Sequence, residues 1–296
     1  MLEARNISYS YDDDSQALKN VSLKINDGEM AAILGKNGAG KSTLFLHFNG
    51  IHEPDDGEIL IDGEKLKYNK KALIKCRQKV GIVFQNPDNQ IFAPSVEEDV
   101  AFGPLNLKLP MDEVQNRVEE ALKRVGMKGF EKKAPHHLSG GQKKRVAIAG
   151  ILAMRPEIMI LDEPTAGLDP KERERFRNLI SSLAENKIVI LSTHIVSDVE
   201  YIANEILIMK NGELIQHGSP EEILKPIEKC VWECDVSRKE AEELELNYVT
   251  ANLKHNNGAE RLRIISQEAP CRTAWNVDPT LEDLYLYYFA EVSEHE

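Results

Sequence analysis

The stretch "GKNGAGKS" at residues 35–42 decides the fold of this chain. It fits the pattern G-x-x-x-x-G-K-[ST] and lies between the apolar segment "EMAAIL", which predicts a buried strand, and "KSTLFLHFNG", which predicts a helix. Glycines let successive backbone N–H groups turn inward around phosphates, and the helix N-terminus adds positive potential. This strand, loop and helix therefore predict a phosphate-binding loop rather than a Gly-rich turn without a ligand.

The polar residues of this loop have predicted tasks. Lys41 is expected to reach the β- and γ-phosphates of a nucleotide, and the Ser42 hydroxyl is expected to hold Mg²⁺. The residues predicted to bind the nucleotide here are Gly35, Lys36, Asn37, Gly38, Ala39, Gly40, Lys41, Ser42 and Thr43.

A second signal is "IMILDE" at residues 158–163. Four apolar residues predict a strand with Asp162 and Glu163 at its carboxyl end, which is where open α/β sheets place ligands. One acid there can orient Mg²⁺, and another can polarise an attacking water. Because adjacent strand residues point to opposite faces, we expect Asp162 to serve the metal and Glu163 to act as the base.

The rest of the pattern predicts an α/β fold. "NISYSYDD" and "VSLKI" alternate as in antiparallel strands, whereas "KVGIVFQ" and "KIVILSTH" read as buried strands. Buried strands that alternate with helical segments predict a mostly parallel sheet covered on both faces. From about residue 86 to 150 the pattern is helical, which predicts a helical insertion between two core strands.

Within that helical region lies "LSGGQ" at residues 138–142. A serine and two glycines open a predicted helix, as in an anion-binding helix start. The stretch has no lysine and follows no predicted strand, so it resembles only part of a phosphate site.

Together these motifs resemble the ATP-binding cassette of ABC transporters. "LSGGQ" matches the family signature, and Tyr11 falls where an aromatic side chain stacks on adenine. Gln85 ends a strand in the position of the family's Q-loop. "AGLD" at residues 166–169 matches the D-loop, and His194 ends a strand as the switch histidine. The resemblance covers residues 1–220 and implies a P-loop ABC ATPase with an antiparallel β subdomain.

The resemblance implies a composite site that two cassettes form when they close head to tail on ATP and Mg²⁺. The signature residues expected to close over the partner's ATP are Ser139, Gly140, Gly141 and Gln142. Glu163 is implied as the general base and His194 as a contact to the γ-phosphate. Gln85 is implied as a catalytic residue that joins Ser42 and Asp162 at the metal. The implied partners are a second ABC ATPase subunit, identical or related, and separate membrane-spanning subunits.

Some members of the superfamily are not part of transporters, and the sequence can be compared with three such classes. Chromosome-maintenance ATPases insert a long coiled coil, but this chain has no sustained heptad run. Translation-factor relatives carry two cassettes in one chain, and a regulatory module without activity is expected to lack Glu163 or His194. A transport ATPase is the favoured interpretation.

The kind of transporter has two interpretations. Residues 83–107 resemble the ATPases of energy-coupling-factor importers, especially the cobalt and nickel type, which predicts import of a metal ion or vitamin. After about residue 168 the chain looks more like the ATPases of bacitracin-resistance exporters, and Ile195 follows His194 where importers usually have Asp. We therefore consider a mosaic chain, with drug or peptide export as the alternative.

Residues 226–296 form a separate predicted domain, which follows a cassette at residues 1–225. They hold 7 Lys and Arg against 15 Asp and Glu, typical of a solvated accessory domain rather than a membrane-surface patch. The pattern predicts a strand at "CVWECDV", a helix at "RKEAEELEL", a hairpin across "HNNGAERLRII" and a helix at "TLEDLYLYYF".

The composition of the chain indicates which partners it binds and where in the cell it works. A net charge of -12 over 296 residues argues against a nucleic-acid surface, because phosphate backbones are bound through excess Lys and Arg. No apolar run approaches the roughly 20 residues that cross a bilayer, and the start of the chain lacks the pattern of a signal peptide. We expect a protein at the cytoplasmic face of the membrane, attached through its partners, with its four cysteines as reduced thiols.

Overall fold

A computed structural model describes residues 1–12, 15–184, 187–256 and 259–290. The strands in these ranges are β1 (Leu2–Ser10), β2 (Gln16–Ile25), β3 (Met30–Leu34), β4 (Asp56–Ile61), β5 (Glu64–Lys65), β6 (Val80–Val83), β7 (Ile158–Leu161), β8 (Ile188–Thr193), β9 (Glu205–Lys210), β10 (Glu213–Gly218), β11 (Val231–Val236), β12 (Val249–Asn256), β13 (Ala259–Ile265) and β14 (Trp275–Asn276). The helices are α1 (Lys41–Phe48), α2 (Lys70–Lys79), α3 (Val96–Asn106), α4 (Met111–Arg124), α5 (Gly140–Ala153), α6 (Pro170–Leu183), α7 (Val196–Ile202), α8 (Pro220–Leu224), α9 (Arg238–Asn247) and α10 (Leu281–Phe289).

The chain divides into two compact units, residues 1–216 and 217–296. The sequence places the end of the cassette nine residues later, after residue 225. The end of the ATP-binding cassette at residue 225 stays a prediction.

A six-stranded sheet forms the centre of the first unit, in the order β10-β9-β3-β8-β7-β6. Strand β3 pairs in parallel with β8 and β9, and β7 pairs in parallel with β8 and β6. Every residue of β3, β6, β7 and β8 is buried, as the continuous apolar runs of these strands predict. The α/β fold class is confirmed, and the carboxyl ends of β3, β8, β7 and β6 lie along one edge of the sheet.

A second sheet, in the order β2-β1-β4-β5, is the antiparallel subdomain that the sequence predicts. Strand β1 pairs antiparallel with both β2 and β4. The inward side chains of β1 and β2 belong to the same apolar core as those of β3 and α1. This shared core connects the second sheet to the helix that follows the phosphate-binding loop.

Three α-helices, α3, α4 and α5, lie between β6 and β7. Side-chain caps start two of them: the Ser95 hydroxyl accepts from the N–H of Glu98, and Ser139 forms a capping box with Gln142. Helix α4 buries Val114, Val118, Ala121 and Leu122, which recur at helical spacing. Among the residues that the structure describes, no helix is long and apolar enough to span a membrane.

The second unit is a small α+β domain, as the sequence predicts. Its sheet has the order β12-β13-β11-β14, and α9 and α10 accompany it. The apolar core of the domain contains Cys234, Val236, Ala241, Leu262 and Ile264. Strands β12 and β13 pair antiparallel, whereas the predicted turn of this hairpin, residues 257–258, lies outside the described residues.

A buried ion pair connects β13 to the start of α10. The Arg263 guanidinium donates to both carboxylate oxygens of Asp283, at 2.9 and 2.7 Å, and Thr280 donates two further bonds to Asp283. Burial acts to raise the pKa of Asp283, but these bonds outweigh it and hold the pKa below its ordinary value. The pair therefore stabilises the domain above the ordinary aspartate pKa of about 3.9 and stops doing so as the pH falls through the lowered value.

We predict that Asp283→Ala lowers the free energy of unfolding of this domain by about 3 kcal/mol at neutral pH, because it removes a buried carboxylate that accepts two hydrogen bonds from Arg263 and two from Thr280. Urea denaturation followed by circular dichroism measures this loss. Asp235→Ala is the matched control, because Asp235 makes a similar two-bond pair with Arg261 that is exposed to water. Equal losses for the two variants would contradict the prediction.

Candidate active site

The loop at residues 35–42 needs glycine at defined positions. Gly40 has a φ of +100°, and a Cβ there would lie 2.7 Å from the carbonyl oxygen of Ala17. Gly38 also has a positive φ, +80°, but a Cβ at that residue would meet no other atom within 4 Å. At Gly35 a Cβ would lie 2.5 Å from the carbonyl oxygen of Met209. The backbone of the loop is therefore held closely by the segments around it.

An open cleft of about 460 Å³ lies above this loop. Residues 37–43 line it, together with Tyr11, Gln85 and Glu163, all of which the sequence predicts for the site. Ser15, Gln16 and Ala17 complete the wall. Thus segments that are far apart in the chain meet at the edge of the sheet where β3, β6 and β7 end.

The Lys41 side chain lies inside the loop. Its Nζ donates to the carbonyl oxygens of Gly35 at 2.8 Å and Lys36 at 3.1 Å. It also lies 3.3 Å from Glu163 Oε1, without the alignment of a hydrogen bond. Both side chains are only 6% exposed, so the cation and the carboxylate interact with little screening by water. Lys41 thus joins the phosphate-binding loop to the acid that follows β7.

The backbone of Asp162 and Glu163 does not continue the strand, although the sequence predicts that it would. Strand β7 ends at Leu161, and Glu163 has a φ of +46°, so the alternation of a strand does not separate the two acids. A turn separates them instead. The Ser192 hydroxyl donates to Asp162 Oδ1 at 2.6 Å and accepts from the Glu163 N–H at 2.9 Å. One Ser192 hydroxyl therefore bonds both the side chain of Asp162 and the main chain of Glu163.

His194 follows β8 and contacts the second acid. Its Nδ1 lies 2.7 Å from Glu163 Oε2. The imidazole is 42% exposed, whereas the Glu163 side chain is 6% exposed. Glu163 therefore has Lys41 near one carboxylate oxygen and His194 bonded to the other.

An aromatic cluster supports the Tyr11 side of the cleft. The Tyr11 hydroxyl lies 2.9 Å from Thr43 Oγ1, and the Tyr11 ring packs edge-on against Tyr9. Tyr9 stacks on His52 and packs against His47. His47 is fully buried, and its Nδ1 donates to the Thr43 carbonyl at 2.7 Å. Burial lowers the pKa of His47, so this ring is neutral near pH 7.

The signature residues do not line this cleft. Ser139 and Gly140 are exposed at the start of α5. The Ser139 N–H donates to Gln142 Oε1 at 3.0 Å, and the Gln142 N–H donates to the Ser139 hydroxyl at 3.3 Å. Gly141 is buried beside Glu172. Ser139 and Gly140 are therefore exposed and lie outside the cleft that the nucleotide loop of their own chain lines.

Comparisons with known proteins identify the family. The family model described as ABC transporter matches residues 18–166. The chain is 56% identical over 229 residues to the energy-coupling factor transporter ATP-binding protein EcfA of Methanothermobacter thermautotrophicus, which covers 77% of this chain and 74% of that one. The chain belongs to the ABC transporter family. It is an ABC ATPase that binds and hydrolyses ATP to energise a membrane transporter.

Further relatives agree with this assignment. EcfA of Methanocaldococcus jannaschii is 55% identical over 229 residues, 77% of this chain and 82% of that one. The structure of cbiO1 from Clostridium perfringens, described as part of the ABC transporter complex cbiONQ, superposes with a TM-score of 0.70 at 43% identity, covering 83% of this chain and 94% of that one. The cassette MJ0796, solved as a dimer with ADP and Pi, gives a TM-score of 0.68 at 34% identity, covering 74% and 98%.

The length of these matches bears on the mosaic hypothesis. A match of 229 residues in a chain of 296 must begin at residue 68 or before it and end at residue 229 or after it. Residues 68–229 of this ABC ATPase are therefore always within the match. The likeness to EcfA therefore continues past residue 168, where the sequence places the join. An exporter origin for the later residues stays a prediction.

Sequence reasoning missed three buried polar residues that bond residues 162–166 of this ABC ATPase. Ser192 joins Asp162 to Glu163, and the buried Lys144 bonds the carbonyl of Glu163. The fully buried Asp198 accepts from the Thr165 hydroxyl at 2.5 Å. Ser192 was detectable as a polar residue within the apolar strand "KIVILSTH". The other two lie in helices where the sequence pattern does not separate a buried polar residue from a solvated one.

We predict that Gly40→Ala lowers the free energy of unfolding by about 3 kcal/mol and Gly38→Ala by about 1 kcal/mol. Both substitutions strain a left-handed backbone, but only the Cβ at residue 40 also meets the Ala17 carbonyl. ATP affinity, measured with a fluorescent analogue, is expected to fall in the same order. Equal effects of the two variants would contradict this explanation of the loop.

Proposed function

We propose that this ABC ATPase works as half of a head-to-tail dimer, with an identical or related subunit, in which each ATP lies between the residue 35–43 loop of one chain and the signature of the other. The observation that carries this proposal is the position of Ser139, which is exposed at the start of α5 and outside the cleft of its own chain. A helix start with a serine and two glycines binds anions without a lysine. The partner's Lys41 supplies the charge.

In this proposal the loop and Lys41 bind the phosphates. The backbone N–H groups of residues 38–42 and the N-terminus of α1 receive the phosphate oxygens. Lys41, which faces Glu163, pairs with the phosphate charge once ATP enters the cleft. Tyr11 stacks on the adenine, with Thr43 and Tyr9 fixing the orientation of its ring. These contacts hold ATP with its γ-phosphate toward Glu163.

We propose Glu163 as the general base and His194 as its partner. Glu163 accepts the proton of the attacking water, as its place in the cleft allows. The hydrogen bond from His194 Nδ1 to Glu163 Oε2 holds the carboxylate, and the exposed imidazole edge contacts the γ-phosphate. Ser139, Gly140, Gly141 and Gln142 of the partner subunit's signature close over the same phosphate and exclude all water except the attacking molecule.

We further propose Mg²⁺ as the metal, because the available donors are oxygen atoms, which Mg²⁺ prefers. Ser42 and Gln85 line the same cleft, and Asp162 lies at the end of β7 with its Oδ1 bonded to Ser192. These three residues would hold the ion directly or through water. Bound Mg²⁺ neutralises charge on the β- and γ-phosphates. Within the described residues, no group of three His, Cys, Asp or Glu side chains forms a separate metal site.

We predict that Glu163→Gln slows ATP turnover by about 10²- to 10⁴-fold, which is the usual contribution of a positioned base. ATP-dependent dimerisation is expected to persist, because the amide retains the size of the carboxylate and an oxygen that can accept from His194, while it cannot accept the proton of the attacking water. Single-turnover hydrolysis and light scattering measure the two properties. Turnover at the wild-type rate would contradict the role of Glu163.

Ser139→Arg is the control for the dimer in the same Glu163→Gln background. It places a bulky cation at the exposed helix start, away from the cleft of its own chain. ATP-dependent dimerisation is expected to be lost, while the affinity of the monomer for ATP stays within about 3-fold. A dimer that still forms with ATP would contradict the composite site.

We also propose that the transporter is an importer of the energy-coupling-factor type, which takes up cobalt, nickel or a vitamin, and that this chain binds the cytoplasmic face of the membrane through its partner subunits. Two facts support this: the EcfA relatives are 55–56% identical, and the cbiO1 structure comes from a transporter complex. Export is the second candidate, because Ile195 follows His194, where the sequence pattern of importers usually has Asp.

Co-purification separates the two candidates. We expect a cobalt-type importer core to retain this chain and a bacitracin-type exporter core not to retain it, because residues 83–107 carry the importer pattern at the surface expected to receive the membrane partner. The measurement is the amount of chain bound per membrane core, with the two cores expressed at equal levels. Retention by the exporter alone would overturn the import proposal.

A further inference from the structure

Lys144 on α5 makes an unusual set of contacts for a buried lysine. Its Nζ donates to the carbonyl oxygens of Glu163 at 3.2 Å, Pro164 at 3.1 Å and Ala166 at 2.8 Å. The residue is 8% exposed. A lysine ammonium has three N–H donors, and here three carbonyl groups accept them. Burial lowers the pKa of Lys144, and the Glu163 carboxylate opposes that effect. A buried cation is costly unless it is well bonded, so its position is specified by this loop.

The main chain that Lys144 contacts is strained at one residue. Glu163 has a φ of +46°, a conformation that costs a residue other than glycine about 1 to 2 kcal/mol. It persists only where the surroundings fix it. At Glu163 the N–H donates to Ser192 Oγ, and the C=O accepts from Lys144 Nζ. Side chains therefore hold both main-chain groups of the residue whose carboxylate faces the cleft.

The carboxylate itself depends on that main-chain conformation. Its Oε2 lies 2.7 Å from His194 Nδ1, and its Oε1 lies 3.3 Å from Lys41 Nζ. A change of φ at Glu163 would turn the Cα–Cβ bond and move both oxygens away from these partners. Misplacement of a reacting group by about 1 Å can cost about 100-fold in rate.

We propose that Lys144 is a positioning residue for hydrolysis, which fixes the left-handed main chain of Glu163 and thereby the place of its carboxylate. The proposal rests on the role of Glu163 as base proposed above. Lys144 is not among the residues that line the cleft, and it reaches the site through the main-chain carbonyls of Glu163, Pro164 and Ala166.

A double-mutant cycle of Lys144→Met and Glu163→Gln tests this role. Methionine retains the unbranched apolar chain of lysine and removes the three donors. In the wild-type background we expect Lys144→Met to lower kcat by about 10- to 100-fold with KM for ATP changed by less than about 3-fold. In the Glu163→Gln background the same substitution is expected to lower the rate by less than about 3-fold, because no base remains to be positioned.

The matched control is Lys143→Met. Lys143 is the preceding residue of the same helix, and its Nζ pairs with Asp88 at 2.6 Å rather than with the Glu163 loop. Lys143→Met changes the net charge by the same amount as Lys144→Met. We expect kcat to fall less than about 3-fold in this variant.

Thermal unfolding and ATP affinity are measured for every variant. If Lys144→Met does not fold, Lys144→Gln replaces it, because its amide retains two N–H donors. Lys144→Gln is expected to lose less activity than a variant without donors, with the same dependence on Glu163.

Two outcomes would overturn the proposal: an unchanged kcat in Lys144→Met or Lys144→Gln, or an equal fall with and without the Glu163 carboxylate, which would indicate a general effect on the fold. A wild-type rate for Glu163→Gln alone would instead overturn the proposed base, and this proposal with it. The Glu163→Gln single variant contains no Lys144 substitution, so failure of the proposed base is distinguishable from failure of the proposed role of Lys144.

Discussion

The parallel alignment of β3, β8, β7 and β6 is the constraint on which the rest of the site depends. Parallel neighbours end at the same edge of a sheet, so the segments that follow them must meet there. The phosphate loop follows β3, Gln85 follows β6, the two acids follow β7 and His194 follows β8. The buried strands support this edge, and the polar residues that follow them, Lys41, Asp162 and Glu163, are themselves less than 10% exposed.

At that edge the chain buries charges that water would otherwise stabilise. Lys41, Glu163 and Lys144 are each less than 10% exposed, and each meets opposite charge or several carbonyl groups. Such groups are costly to bury and hold their geometry only while all their partners remain. The helix that carries Lys144 is capped at its start by Ser139, so one helix bonds the main chain of Glu163 in its own chain and carries the exposed signature serine.

Much of this could be predicted from the sequence, because local patterns determine it. The strand and helix around "GKNGAGKS" follow from apolar periodicity, and the order of the motifs identifies the family. The left-handed backbone of Glu163, with its φ of +46°, could not be predicted, because the side chains that bond its main chain, Ser192 and Lys144, are distant in the sequence. Lys144 stands in a basic run, "KKR", where a solvated lysine and a buried one have the same local pattern.

The most direct test of the central claim, that this chain provides two complementary halves of an ATP site, is an experimental structure of the Glu163→Gln variant with ATP and Mg²⁺. The account predicts two ATP molecules between two chains. Each should contact residues 35–43 of one chain and Ser139 with its adjoining glycines of the other. A structure in which all protein contacts to each ATP come from a single chain would contradict it.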